Sequence, residues 1–389
     1  MKKAVFSSLF ALLLQSATAQ VVGTPSGFGA ETIGGGDAKA QTPSSLSELV
    51  EWITDSTART ILIDREWNFI GTEGTTTEKC CSTATTTCEG GTSAGQASLQ
   101  TTCDDGTWIE CTYDNAAKSP LDVGSNKSIV GVGKTGVLRG KGLRVRGGAS
   151  NVIIQNIHIT ELNPQYVWGG DGITLDDCDK VWIDHNKFSL TGRQFIVSGW
   201  GAAGHVTISN NEFDGKTSWS AGCNGKHYWT LLLIGEKDWY TFEGNWLHDV
   251  SGRAPHLGTD HTKSRIFFHA VNNYFQDVGG HAFDVDTNTW VLLEGNYFDS
   301  VTTPITDTTL TSGALLYNVP TVDSASACSA SLGYICEWNR LSYGSGNWPD
   351  LTEQAVLDEF AQYTDSLVDA YHVAEVPSTV VANAGVGKI

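Results

Sequence analysis

HVTISNNEFDG, at 205–215, is one of six segments built on a single template, and that template decides the fold. The others are NVIIQNIHI (151–159), KVWIDHNKFS (180–189), WYTFEGNWLHDV (239–250), RIFFHAVNNYFQDV (265–278) and WVLLEGNYFDS (290–300). Each has a short β-rich run, a polar turn containing Asn, an aromatic or apolar residue, and a polar exit. Counted from Asn156, Asn186, Asn211, Asn245, Asn273 and Asn296, the intervals are 30, 25, 34, 28 and 23 residues. Unequal intervals above a floor in the low twenties describe one rung of about that length with loops inserted at different places. Short strands without helical crossovers, few prolines and an Asn at every bend specify an all-β solenoid, a right-handed parallel β-helix. Asn tolerates left-handed backbone, and its amide can bond to the same residue on the next rung. A β-propeller also repeats, but its blades hold four strands in about forty residues, which these segments do not.

Outward from the repeats the chain changes character. Gly23 to Gly36 reads as an extended arm. Ser45-Leu46-Ser47-Glu48 is a capping box that opens a short amphipathic helix, and Ile61-Leu62-Ile63-Asp64 reads as a strand. Residues 71–118, rich in Thr, Cys, Gly and Ser, form a long insertion held by disulfides rather than by a core of its own. Gly131-x-Gly133-x-x-Gly136 matches a dinucleotide fingerprint, but strand-like residues follow it where a helix is required, so it reads as turns. After Thr302 the pattern fades. Leu351, Val356, Phe360 and Tyr363 share a helical face, and 350–389 is expected to be a cover with an extended tail. Both ends of an open stack need capping if it is to stay a monomer, the state expected here.

MKKAVFSSLFALLLQSATAQ opens the chain with two lysines, an apolar run and Ala17-Thr18-Ala19. Residues 1–19 therefore read as a signal peptide, and 20–389 as one secreted, extracellular domain. No later run suits a membrane span. A formal charge of −19 repels nucleic acid and anionic membranes, and would equally repel a fully ionised polyacid. Nine cysteines in such a chain imply disulfides. Cys80, Cys81, Cys88, Cys103 and Cys111 crowd the insertion, Cys223 suits its odd member, Cys328 and Cys336 suit a local bridge, and Cys178 is left free. No CxxC pair exists for zinc. Asn126-Lys127-Ser128 is a glycosylation sequon.

Function on a solenoid belongs to inserted loops, so the loops of 161–170, 215–228 and 251–260 are the places to search. They hold Asp171 at the end of the first, Lys226, His227 and Tyr228 in the second, and Arg253 and His256 in the third. Trp168, Trp219 and Trp229, among thirteen tryptophans, suit a cleft for sugar rings, and for an uncharged polysaccharide better than an ionised one.

GGDGI (169–173), WIDH (182–185), HVTISNN (205–211) and GRAPH (252–256) resemble, in order and over nearly the whole chain, the pectate and pectin lyase superfamily, and within it the fungal pectin lyases. The resemblance implies β-elimination on galacturonan. Pectate lyases carry clustered carboxylates after the WIDH segment that bind Ca²⁺. This chain has TGRQFIV there, and one Asp beside an Arg is a poor calcium site, because the ion takes six to eight oxygens. Arg193 then stands in the region the metal fills in the relatives, and neither metal nor cofactor is expected. By the same resemblance Arg253 takes the C5 proton, Arg193 stabilises developing charge and Asp171 orients it. A guanidinium is a poor base unless desolvation and a neighbouring cation depress its pKa, or a water does the abstraction. His256, where some relatives have Lys, joins Trp168, Trp219 and Trp229 as a substrate-binding candidate, and His185 is expected to be structural. The implied substrate is methyl-esterified pectin. A Ca²⁺-dependent pectate lyase and a non-catalytic polysaccharide-binding solenoid are the alternatives. A hydrolase needs paired carboxylates, for which Asp176-Asp177 is the only adjacent Asp pair within the repeats.

Overall fold

Alternation along each repeat sends every second side chain inward. In Ile266–Val271, Ile266, Phe268 and Ala270 enter the main core while Phe267, His269 and Val271 face out. Stacking such strands in parallel register builds a β-helix of three sheets. The structure, a computed structural model, describes residues 20–259, 264–342 and 344–389. Residues 1–19, where a signal peptide is expected, lie outside them.

One sheet, here the groove sheet, runs through Leu121–Asp122, the first parts of Leu143–Gln155 and Ile173–Asp184, then Ile196–Ser198, Leu231–Leu233, His256–Leu257, His281–Val285 and Thr303–Ile305. The second begins with Ala40–Gln41, Arg59–Ile63 and Lys127–Gly131 and takes in the far halves of the two long strands, which turn the corner, with a register shift between Arg146 and Ala149. It continues through Gly204–Ser209, Asp238–Glu243, Ile266–Val271, Thr289–Glu294 and Leu315–Tyr317. A nine-stranded third sheet closes each rung. Inside, phenylalanines stack along the axis, Phe188 on Phe213 at 5.2 Å and Phe275 on Phe298 at 4.7 Å between centroids. Each such pair contributes about 0.5–1.5 kcal/mol beyond the area it buries.

The expected Asn ladder is present, with one shift of register. Asn186, Asn211, Asn245 and Asn273 each donate from Nδ2 to Oδ1 of the next rung's Asn at 2.8–3.1 Å, ending on Asn296. Asn296 bonds in turn to Asn339, a member the repeats did not reveal. The left-handed residue is the one before the ladder: His185, Asn210, Gly244, Asn272 and Gly295 have φ of 51–63°. Asn156, with φ 60°, belongs to that preceding column, and Ile157 occupies the ladder position, its N–H donating to Asn186 Oδ1. The turn thus needs two special residues, one for backbone conformation and one for the amide, and Asn serves either.

The helix Leu46–Thr54 closes the first rung with Leu49 and Ile53 fully buried. Ser45 Oγ accepts from Glu48 N, while Glu48 reaches back to Ser44 N rather than to Ser45. The C-terminal segment first covers the last strand, where Thr352 bridges antiparallel to Tyr317 and Glu353 N donates to Leu316 O at 3.1 Å, and then lies along the flank of the stack. Gln354–Phe360 buries Val356, Leu357 and Phe360 against the outward Phe267 and Leu292, together with Phe28 of the N-terminal arm. It thereby covers an outer face bearing Trp239, Phe267, Trp290 and Leu292. The tail is not extended but helical over Val376–Asn383, and it returns along the bends until Gly387 N donates to Asn156 Oδ1 at 2.7 Å.

The insertion has more order than its composition suggests. Thr75–Ser82 and Thr107–Asp114 form an antiparallel hairpin whose alternation is carried by Thr and Cys. Cys80 pairs with Cys111, Cys81 with Cys103, Cys88 with Cys223 and Cys328 with Cys336, while Cys178 is free and buried. Val137–Arg139 is a strand, which removes the dinucleotide fingerprint. Asn126 is exposed, with φ 58°.

Candidate active site

Each strand of the groove sheet begins where an inserted loop ends, so the residues just before successive strands form a column. The pairings Ile173 with Ile196, Ile196 with Leu231, Leu232 with His256 and His256 with Asp284 place Asp171, Gln194, Trp229, Arg253 and His281 side by side at that edge. Arg193 immediately precedes this column, and Trp168 closes the loop before Asp171.

Asp171 Oδ1 accepts from Gln194 N at 2.8 Å, leaving Oδ2 at 3.9 Å from Arg193 Nη1. That contact is long and not bidentate, so the carboxylate orients Arg193 without consuming its donors. The guanidinium of Arg193 instead lies 3.6 Å from the ring centre of Trp168, a residue held at φ +67°. A tryptophan in the left-handed region is costly, and such strain collects at functional sites. Arg253 repeats the arrangement 4.7 Å over Trp229, also with left-handed backbone at φ +47°. Trp229 Nε1 donates to Gln96 Oε1 at 2.9 Å, and Gln96 Nε2 reaches the carbonyls of Pro164 and Gly192. A glutamine of the insertion therefore fixes one indole and two loops at once.

A cleft of 350 Å³ opens between these groups, lined by Gln96, Gln100, Trp168, Arg193, Trp229 and Arg253 among others. Burial lowers the pKa of both arginines below the usual guanidinium range, and the charge of Arg253 pushes Arg193 further down. Burial raises Asp171 above the usual carboxylate range, against the pull of Arg193. Arg253 Nη1 is buried with no hydrogen-bond partner among the described residues. Two desolvated cations, one of them 3.9 Å from a carboxylate, can stabilise an oxyanion. They suit calcium badly, since the ion requires many oxygens and no competing cation.

Asp171, Arg193, Arg253, Trp168 and Trp229 therefore come together. Trp219 does not line this cleft; it lines a separate one with Tyr113, Asn163 and Leu190, on the other side of the insertion. His256 is next to the site but committed to carboxylates, with Nδ1 2.8 Å from Asp284 and Nε2 3.6 Å from Asp286. His185 bonds Asp184 at 2.7 Å. Asp176 accepts from Gly201 N, and Asp177 has left-handed backbone, φ 55°, within the strand Ile173–Asp184. Gln96 and Gln100 went unnoticed in the sequence because nothing in a Thr- and Gly-rich insertion singles them out. Among the described residues, Glu212, Asp214 and His248 form a metal-like cluster, but on the third sheet. Lys187 Nζ already lies 2.7 and 2.9 Å from those two carboxylates.

The chain resembles solved pectate lyase structures in fold: one from Xanthomonas campestris (TM-score 0.56, 21% identity, covering 94% of this chain and 98% of that one) and a pectate lyase bound to a hexasaccharide (TM-score 0.56, 17% identity, 96% and 100%). It is 74% identical over its full length, and that of the relative, to a probable pectin lyase F-1 of Aspergillus terreus, and 72% identical, again over both full lengths, to a probable pectin lyase F of Neosartorya fischeri. The model of the pectate lyase family matches residues 3–389. The chain belongs to the pectate lyase family, on its pectin lyase side.

Proposed function

We propose that this pectin-degrading lyase is a secreted endo-acting enzyme that cleaves methyl-esterified galacturonan by β-elimination without a metal. The observation that carries the reading is the cleft lined by both Arg193 and Arg253, with Asp171 3.9 Å from Arg193. Elimination removes the C5 proton and expels the glycosidic oxygen from C4, so charge builds on the C6 carbonyl oxygen. A free carboxylate there would become a dianion. A methyl ester is neutral and makes the C5 proton more acidic, so one guanidinium suffices to stabilise the enolate oxygen, an interaction of roughly 3–4 kcal/mol in comparable sites. Arg193 fits that role, and Arg253, which lines the same cleft with its pKa lowered by burial, fits the role of base, directly or through a water. The leaving oxygen takes its proton from solvent.

Net charge supports the ester as well, because an ionised polymer would be repelled by a surface of −19. Trp168 and Trp229 present flat faces to a sugar chain while their other faces carry the arginines. The test is ultraviolet absorbance of the unsaturated product on highly esterified pectin and on polygalacturonate, each with EDTA and with added Ca²⁺. Activity on the ester that EDTA leaves intact is expected. A calcium requirement or a preference for polygalacturonate would overturn the reading, and reducing sugar without that absorbance would mean hydrolysis. Protein recovered from culture medium is expected to begin at Gln20 and to elute as a monomer.

A further inference from the structure

We propose that His281 is a positioning residue of the reaction, holding Arg253 in its working conformation by accepting the main-chain N–H of Arg253 at imidazole Nε2. The inference rests on the functional reading above only in taking Arg253 to be a working group of the site.

The contact is 3.0 Å and joins neighbouring rungs at the edge of the groove sheet. What it holds is unusual. Arg253 has φ +47°, a region an L residue with a long side chain enters only when its surroundings dictate it. The neighbouring carbonyl of Arg253 is engaged by Leu231 N at 2.7 Å and the next N–H, that of Ala254, by Ala282 O at 3.2 Å. The Arg253 N–H is left to a side chain, and His281 supplies the acceptor, much as Thr230 Oγ1 serves the carbonyl of Gly252 at 2.8 Å. Tyr228 packs edge-on against the imidazole at 5.6 Å and edge-on against Trp229 at 4.8 Å, and Arg253 lies over that same indole. Imidazole, phenol, indole and guanidinium form one packed run, so a shift of the ring would be transmitted to the cation.

An Nε2 that accepts is unprotonated, which places the neutral ring's proton on Nδ1. Protonating Nε2 converts the acceptor into a donor facing an N–H, and the contact is lost. The charged and titratable groups facing the ring are Asp284 on its own strand, His256 and Arg253 on the preceding rung and Tyr228 from the long loop. Asp307 lines the same hollow from the following turn. Burial, with the positive charges of His256 and Arg253, lowers the His281 pKa against the pull of Asp284. The neutral, accepting form therefore prevails above the depressed pKa and is lost as pH falls through it.

Two variants separate positioning from mere stability, read on whichever galacturonan the wild type cleaves. His281→Leu removes the acceptor and is expected to lower kcat on the order of a hundredfold, the cost of about an ångström of misplacement, with KM little changed. His281→Gln keeps an acceptor that does not titrate. It is expected to recover most of kcat and to move the acid limb of the kcat profile to lower pH. An unchanged acid limb in His281→Gln together with wild-type kcat in His281→Leu overturns the inference while leaving the proposed function standing. Should His281→Leu fail to fold, the His281→Gln profile alone decides: an unmoved limb overturns the proposal. Nitrogen NMR of the imidazole needs no turnover, so it reads the inference even if neither polymer is cleaved and the functional reading falls. The proton on Nδ1 at neutral pH supports the proposal, and the proton on Nε2 overturns it.

Discussion

Two places in this solenoid gather carboxylates and cations, and they do it in opposite ways. On the third sheet, Lys187 lies within 2.9 Å of both Glu212 and Asp214, and His248 reaches Glu212 at 3.3 Å and Asp249 at 2.9 Å. Every charge there has a close partner. In the cleft, Arg193 meets its carboxylate, Asp171, only at 3.9 Å, and both arginines are backed by indole faces. Desolvation without close pairing depresses the arginines, whereas pairing raises Lys187 and His248 despite their burial. The first arrangement lowers the energy of the folded chain. The second leaves cations without close partners, as the transition-state role proposed for them requires.

The comparison is tested most severely at Arg253. Arg253→Lys keeps a cation but loses the planar group stacked on Trp229, and is expected to lose activity by about a thousandfold or more with an unchanged melting temperature. An unchanged rate would remove Arg253 from the chemistry. Arg193→Gln is expected to lower kcat by about 10²–10³, with a smaller change in KM, because its interaction grows with the charge on the enolate. If KM rises and kcat holds, Arg193 binds substrate without stabilising the transition state. The indoles come next. Trp229→Ala is expected to lower kcat/KM by about tenfold through lost sugar and arginine contacts, while Trp219→Ala, in its separate cleft, leaves both constants near wild type.

How much of this was legible in the sequence follows from where the information lies. Rungs were visible because inward alternation and the Asn bends recur in every repeat, and the arginine site because its loops end in residues of conspicuous type. The one-residue error at Asn156 arose because Asn suits both columns of the bend, and only the pairing of Gln155 with Asp184 separates them. The wall of the cleft was not legible. Gln96 acts through contacts with Trp229, Pro164 and Gly192, residues 68–133 positions away, and local composition carries no trace of such contacts. His281 is similar: its significance lies in a main-chain N–H one rung away. The flanking path of residues 354–389 was hidden for another reason. The outward aromatics that it covers are spread over separate repeats, one or two in each.

The paired cluster should respond to acid in its own manner. Glu212 falls to about 2 from an ordinary 4.5 because hydrogen bonds from His248 and Lys187 outweigh the cost of burial. A carboxyl group depressed in the folded state adds stability that is complete above the ordinary value and is lost as pH falls through the folded one. Wild-type melting temperature should therefore drop between pH 4.5 and about 2, partly through this residue. Lys187→Met removes the close cation from two half-buried carboxylates and is expected to cost about 2 kcal/mol at neutral pH, between the values for exposed and fully buried pairs. It should also flatten the acid part of the curve, because Glu212 then titrates closer to its unfolded value. Activity per folded molecule should be unchanged, since the cluster is on a different sheet from the arginines. A variant that loses turnover while keeping its melting temperature would show that the two charge clusters are coupled, and that the division between structural pairing and catalytic mismatch does not hold.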